Sequence, residues 1–328
     1  MTMMMCPQTQ SPLLQIPTGG IEMPPVVRCR PPREKVVVVM GATGTGKSRL
    51  SIDLAARYPA EVINSDKMQV YEGLDIVTNK ITDSECGGIP HHLLGIVDPE
   101  ADFTAGDFAS TASLTMKSIV GRGKLPIVAG GSNSFIEALI DDDLGRARYD
   151  VCLLWVDVAM PVLHRFVSDR VDRMVAAGIV DEVRKMYKPN ADYSRGIRRA
   201  IGVPEFDKYF RAEFSSSVDK RTRAKLLEEA INETKINTCK LACRQIGKIH
   251  RLRNVKGWKI HRLDATPFFQ NRGREADKIW EEAVAGPGSV IVNQFLYNFG
   301  HSRSFAAAAT VDGGGRAIRA AALAAAAL

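Results

Sequence analysis

The chain has 328 residues, 45% of them hydrophobic and 25% charged, an ordinary globular composition able to bury one sizeable core with a small appended lobe. A formal net charge of +7 favours polyanionic partners, whether nucleotides, diphosphates or RNA, without choosing among them. No apolar run approaches the roughly 20 residues that cross a bilayer, so no membrane segment is expected, and six cysteines without a CxxC pair point to neither a disulfide framework nor a zinc ribbon.

In chain order, residues 1–33 come first. They are rich in Pro, Met and Gln, set Arg28, Arg30 and Arg33 against the single acid Glu22, and show neither a helical nor a strand period. Acid-poor, arginine-bearing sequence suits a transit peptide and a plastid address, whereas Ser11 as the only serine suits a plain flexible tail in a cytosolic protein. Order begins at Lys35 to Met40, KVVVVM, a continuous β-branched run of the kind buried in a parallel sheet. A helix over Lys47 to Arg57 follows, then strands at Val62 to Asn64, Leu125 to Gly131 and Val151 to Asp157. Strands alternating with helical stretches predict a three-layer α/β fold with a mainly parallel sheet, whose site lies at the carboxyl ends of the strands.

From Met160 the pattern turns helical: Val162 to Met186, Lys220 to about Arg253, and Glu275 to Ala285. The expected organisation is a core over 34–157, a small helical lobe over 158–214 and a C-terminal helical part of the core over 215–300. The alanine- and glycine-rich tail of 301–328 carries no functional signal.

Between the first strand and helix stands GATGTGKS, matching GxxxxGK[ST] at Gly41, Gly46, Lys47 and Ser48. The strand before and the helix after turn a string match into a phosphate-binding loop. Backbone N–H groups around Gly41, Gly44, Thr45 and Gly46 are candidates to cradle a diphosphate, Lys47 supplies a cation, and Ser48 is a candidate Mg²⁺ ligand. Asp66, in VINSDKMQVYEG, follows the second strand near the mouth of this loop and is open to three roles: metal ligand, general base or helix cap.

Five motifs in one order then carry a resemblance: GATGTGKS, INSDKMQVYEGLDIVTNK (63–80), IPHHLLG (89–95), AGGSNSFIEAL (129–139) and RRAIGVPEF (198–206). Together they resemble the plant adenylate isopentenyltransferases and, more distantly, the tRNA dimethylallyltransferases. The likeness implies a P-loop NTPase-like fold and transfer of the dimethylallyl group from dimethylallyl diphosphate to N6 of ATP, ADP or AMP. The loop would then hold the prenyl donor's diphosphate, with Mg²⁺ as cofactor.

On this resemblance Asp66 is the base that accepts the amine proton, Thr43 lies near the scissile oxygen, and Lys47 and Arg170 reach the diphosphate. Ser65, Ser132 and Ser134 are substrate contacts, Ser132 being equally a helix cap. Lys220, Arg223 and Lys225, with Arg221, are candidates for the nucleotide's additional phosphates. Neither a nucleic-acid nor a protein partner is implied. The missing CxxC argues against the eukaryotic tRNA-modifying form, though not the shorter bacterial one.

Other features read more modestly. His91 and His92 are neighbours on an extended segment, point to opposite sides, and fit packing better than a metal pair. Asp157 ends a strand like the acid of an ordinary P-loop kinase or NTPase, which is the alternative of another class. From Thr234 to Leu263 there is no acid, and Lys240, Arg244, Lys248 and Arg251 share one helix face, either solvated or cradling phosphates. Ile236, Cys239, Cys243 and Ile246 form an apolar stripe expected to be core.

Overall fold

The computed structural model describes residues 33–141 and 149–297; the predicted tails therefore lie outside the described residues, save Arg33. The sheet has six strands in the order β3-β2-β4-β1-β5-β6: β1 Glu34–Met40, β2 Ala60–Asn64, β3 His91–His92, β4 Leu125–Gly130, β5 Tyr149–Asp157 and β6 Ile260–Asp264. Every pairing is parallel, and central β1 pairs Val38 with Val128 on one side and with Leu153 on the other. Successive side chains of a strand alternate between faces. Accordingly Val36, Val38 and Met40 enter one core, and Val37 and Val39 the other. That is why this strand reads as an unbroken apolar run rather than an alternating one.

One face is covered by α4 (Ala105–Gly121), α5 (Asn133–Asp141) and part of the 35-residue α9 (Lys220–Asn254). The other carries α1 (Lys47–Arg57), α6 (Met160–Ala176) and a C-terminal run made of α11 (Gly273–Trp280), a π-helical turn at Glu281–Ala285 and α12 (Gly286–Tyr297). Short α2 (Asp75–Thr78) and α3 (Asp83–Cys86) follow β2, α7 (Ile179–Met186) and α8 (Asp207–Glu213) lie between α6 and α9, and α10 (Thr266–Gln270) follows β6.

The helix expected over Val162 to Met186 is broken. Its first part, α6, ends at Ala176, and Gly178 at φ 99° is the N-cap of a separate helix, α7, since a left-handed residue cannot continue an α-helix. The cysteine stripe is corrected too. Cys243 and Ile236 are exposed, with Cys243 Sγ 3.4 Å from His164 Nε2, because α9 buries chiefly the face bearing Thr234, Thr238, Ala242, Gln245 and Ile249.

Candidate active site

The site begins with the loop between β1 and α1. Gly44 and Gly46 have φ of 82° and 92°, and a Cβ on Gly46 would meet the Trp280 ring at 2.7 Å, so this turn accepts only glycine there. Thr45 is fully buried and its hydroxyl donates to Ala42 O at 3.0 Å; its side chain braces the loop rather than reaching a ligand. Lys47 Nζ donates to the same carbonyl at 2.6 Å, and Ser48 is exposed beside it.

Asp66 is set by a chain of local bonds. Asn64 Oδ1 accepts from the Asp66 N–H at 3.0 Å, and Asp66 Oδ1 accepts from the Met68 N–H at 2.9 Å, a self-closed turn that fixes the carboxylate at the end of β2. Ser65 is fully buried, its hydroxyl without a partner among the described residues. β4 comes so near it that a Cβ on Gly130 would lie 2.3 Å from the Ser65 carbonyl. Ser132 Oγ accepts from the Lys67 N–H at 2.8 Å, which ties the β4–α5 loop to the Asp66 loop; its carbonyl, not its hydroxyl, receives the Phe135 and Ile136 N–H groups of the first turn of α5.

Arg170 comes from α6, and its Nη2 donates to Thr43 Oγ1 at 2.9 Å while Nε has no partner among the described residues. Burial pulls Lys47 down to about 8; the Asp66 carboxylate opposes that shift and Arg170 adds to it. Arg170 is drawn down to about 10 by burial, again opposed by Asp66 and furthered by Arg173. One carboxylate and two cations thus share a single field.

These groups line a cavity of about 810 Å³ with Thr43, Gly44, Gly46, Ser48, Ser132 and Ser134, a volume in the usual range for small-molecule sites. Its apolar lining includes Phe166, Met174, Leu241 and Phe269, and its cations Lys67, Arg199, Arg244 and Lys248. Lys67 is lowered by burial and then by the like charges of Arg199 and Lys248. None of these four makes an ion pair among the described residues.

Lys220, Arg223 and Lys225 are not brought to the cavity. Arg223 donates to Val218 O and Ser215 O, Lys225 faces Glu229 at 3.8 Å, and the stretch from Arg223 to Arg244 spans roughly 30 Å of helix. Arg199 lies within RRAIGVPEF, whose pattern gives it no distinct role, and Gln245 carries no sequence signal at all. Asp157 bonds Arg262 at 2.7 Å on neighbouring β6 and does not line the cavity. His92 Nε2 contacts Glu61 at 2.7 Å, and His91 Nδ1 the Ile89 carbonyl at 2.8 Å.

The acid that ends β5, Asp157, is held by Arg262 outside the cavity lining, whereas Asp66, at the end of β2, lines the cavity with the phosphate loop. The family model for IPP transferase matches residues 69–147 and 141–251. The chain belongs to that family. It is 53% identical over 318 residues to adenylate isopentenyltransferase 3, chloroplastic, of Arabidopsis thaliana, spanning 94% of each chain. With adenylate isopentenyltransferase 5, chloroplastic, of the same plant it shares 58% over 80% of this chain and 81% of the other. Among solved structures, a eukaryotic dimethylallyltransferase acting on tRNA superposes with a TM-score of 0.69 at 26% identity over 81% and 80% of the two chains. The tRNA isopentenylpyrophosphate transferase of Bacillus halodurans does so at 0.64 and 27%, over 80% of this chain and 99% of that one. Membership makes the chain a prenyltransferase with the P-loop NTPase-like fold.

Proposed function

We propose that the chain transfers the dimethylallyl group of dimethylallyl diphosphate to N6 of free ATP, ADP or AMP, releasing inorganic diphosphate, as the first step of cytokinin synthesis. The observation that carries this is Asp66, one carboxylate in the field of Lys47 and Arg170, in a cavity whose lining holds five further cations, Lys67, Arg173, Arg199, Arg244 and Lys248. Two opposite charges develop in such a transfer. The amine nitrogen turns positive as its lone pair attacks the first prenyl carbon, and the bridging oxygen turns negative as the carbon–oxygen bond lengthens. Asp66 accepts a hydrogen bond from N6 and then its proton. Because Thr43 Oγ1 accepts from Arg170, its own hydrogen is left to donate to the bridging oxygen. Lys47 and Arg170 take up the charge of the departing diphosphate, which grows toward the transition state and is therefore stabilised there most.

Phe166, Met174 and Phe269 suit the five-carbon tail, and Lys67, Arg199, Arg244 and Lys248 suit the acceptor's phosphates, the more so the more phosphates it carries. The residues present also fit Mg²⁺: the exposed Ser48 hydroxyl offers the single protein oxygen needed by an ion held mainly through phosphate oxygens and water. Bound there, Mg²⁺ would neutralise part of the diphosphate charge. Residues 1–33 are proposed as a plastid address, a reading supported by the word chloroplastic in the relatives' names and tested by import of a reporter fused to them.

The deciding experiment incubates purified protein with Mg²⁺ and dimethylallyl diphosphate, offers ATP, ADP, AMP and unmodified tRNA in parallel, and weighs the products. Prenylated free nucleotide is expected, with ATP and ADP ahead of AMP. Prenylated tRNA alone would reassign the acceptor, and ADP formed from ATP without prenyl product would refute the proposal.

A further inference from the structure

Gln245 sits on α9, only 7% exposed, and bonds two other segments at once. Its Oε1 accepts from the Thr43 N–H at 2.8 Å, its Nε2 donates to Gly131 O at 3.0 Å, and its backbone carbonyl accepts from Asn133 Nδ2 at 3.0 Å. The fit is close: a Cβ on Gly131 would lie 2.4 Å from Gln245 Nε2. The Thr43 N–H is thereby taken out of the set that a diphosphate could use. What the bond secures instead is the backbone of the residue whose hydroxyl receives Arg170.

We propose that Gln245 is a positioning residue of the transfer step, holding the donor loop so that the Thr43 hydroxyl and Arg170 meet over the bridging oxygen. The proposal rests on the prenyl-transfer reading. Gln245→Leu keeps the volume but leaves two backbone groups, the half-buried Thr43 N–H and the buried Gly131 O, without their partner. A displacement on the ångström scale at a reacting hydroxyl costs on the order of a hundredfold in rate. The expected result in single-turnover transfer is a rate lowered roughly 10- to 100-fold, with the donor KM changed by less than about threefold.

A merely structural role is separated by the Thr43→Ala background. With the positioned hydroxyl gone, Gln245→Leu should cost no more than about threefold there. Gly131→Ala displaces the Gln245 amide from the opposite side, and its loss of rate should not add to that of Gln245→Leu; it carries the test if the leucine variant does not fold. A rate within about twofold of wild type for a folded variant, or an equal loss with and without Thr43, would overturn the proposal while leaving the activity standing. A wild-type chain that makes no prenyl product would overturn the activity and this proposal with it.

Discussion

Asp66→Asn tests the proposed chemistry with the least structural disturbance, because the amide keeps the Oδ1 that accepts from the Met68 N–H at 2.9 Å. The turn survives while the charge and the proton acceptor are lost. Turnover should fall by roughly two to four orders of magnitude, the usual worth of a positioned general base. The structure adds a second, independent consequence. Lys47 stands at about 8 only because Asp66 opposes the effect of its burial. Loss of that carboxylate lets the ammonium give up its proton at lower pH still, by roughly one unit or more for a nearby charge. Since the donor's diphosphate binds the cation, donor affinity should be flat at low pH and weaken as pH rises through the Lys47 value. In the variant that weakening should set in at lower pH than in wild type, although affinity below it is unchanged or better. Pre-steady-state product formation measures the first effect. Donor titration followed by the fluorescence of Trp280, whose ring lies against Gly46, measures the second. Turnover within tenfold of wild type would remove Asp66 from the base role, and a pH limb that stays put or moves up would refute the shared field.

Three further expectations follow from the same geometry. Lys47→Arg keeps a cation at every working pH, so the rise in donor KM expected above about pH 8 in wild type should disappear from its pH profile. Arg199→Ala and Lys248→Ala should each raise the KM for ATP by about tenfold, AMP less, with the donor KM unchanged; an equal effect on both substrates would place these cations elsewhere in the reaction. Glu61 is 3% exposed. Burial alone would raise its pKa, but hydrogen bonds from Arg122, Lys124 and His92 outweigh that and bring it from 4.5 down to about 2. Its stabilisation is therefore present above about 4.5 and lost as pH falls toward 2. Glu61→Gln should cost roughly 1–3 kcal/mol at neutral pH, discounted because the Arg122 and Lys124 side chains are 45% and 38% exposed, and should flatten the acid limb in thermal denaturation followed against pH.

The donor half of the site is legible in the sequence because its parts are contiguous. A phosphate loop needs its glycines, its lysine and its hydroxyl within eight residues, between a buried strand and a helix, and Gly41 to Ser48 supply them at that spacing. Strands β1, β4 and β5 are legible for a related reason: buried on both faces, they show as apolar runs. The edge strand β6, IHRLD, exposes His261, Arg262 and Asp264 and so looks like the end of the basic, acid-free stretch that overlaps it up to Leu263. Helix α4 is equally inconspicuous, for its apolar residues Phe108, Ala112, Met116 and Ile119 are separated by serines and threonines with weak helical preference.

The acceptor half obeys a different logic. Its cations come from the end of β2, from the turn around Arg199 and from α9, and only folding makes Lys67 the neighbour of Arg199 and Lys248. Near Lys220 the sequence shows a denser cluster of charge, but density along a chain is not proximity in space: a single helix carries Arg223 roughly 30 Å from Arg244, where its guanidinium donates to Val218 O and Ser215 O in the segment before the helix. The informative difference is pairing. Arg223 and Lys225 have oxygen partners, whereas Lys67, Arg244 and Lys248 face one cavity with no carboxylate paired to them among the described residues. Like charges assembled without ion-pair partners raise the energy of the empty site and lower that of a site holding a polyanion. The same helix that carries Arg244 and Lys248 also carries Gln245, which bonds the donor loop. On the proposed function, the two substrates would be read by opposite kinds of sequence, one local and one dispersed, with α9 as the element that joins the two halves of the cavity.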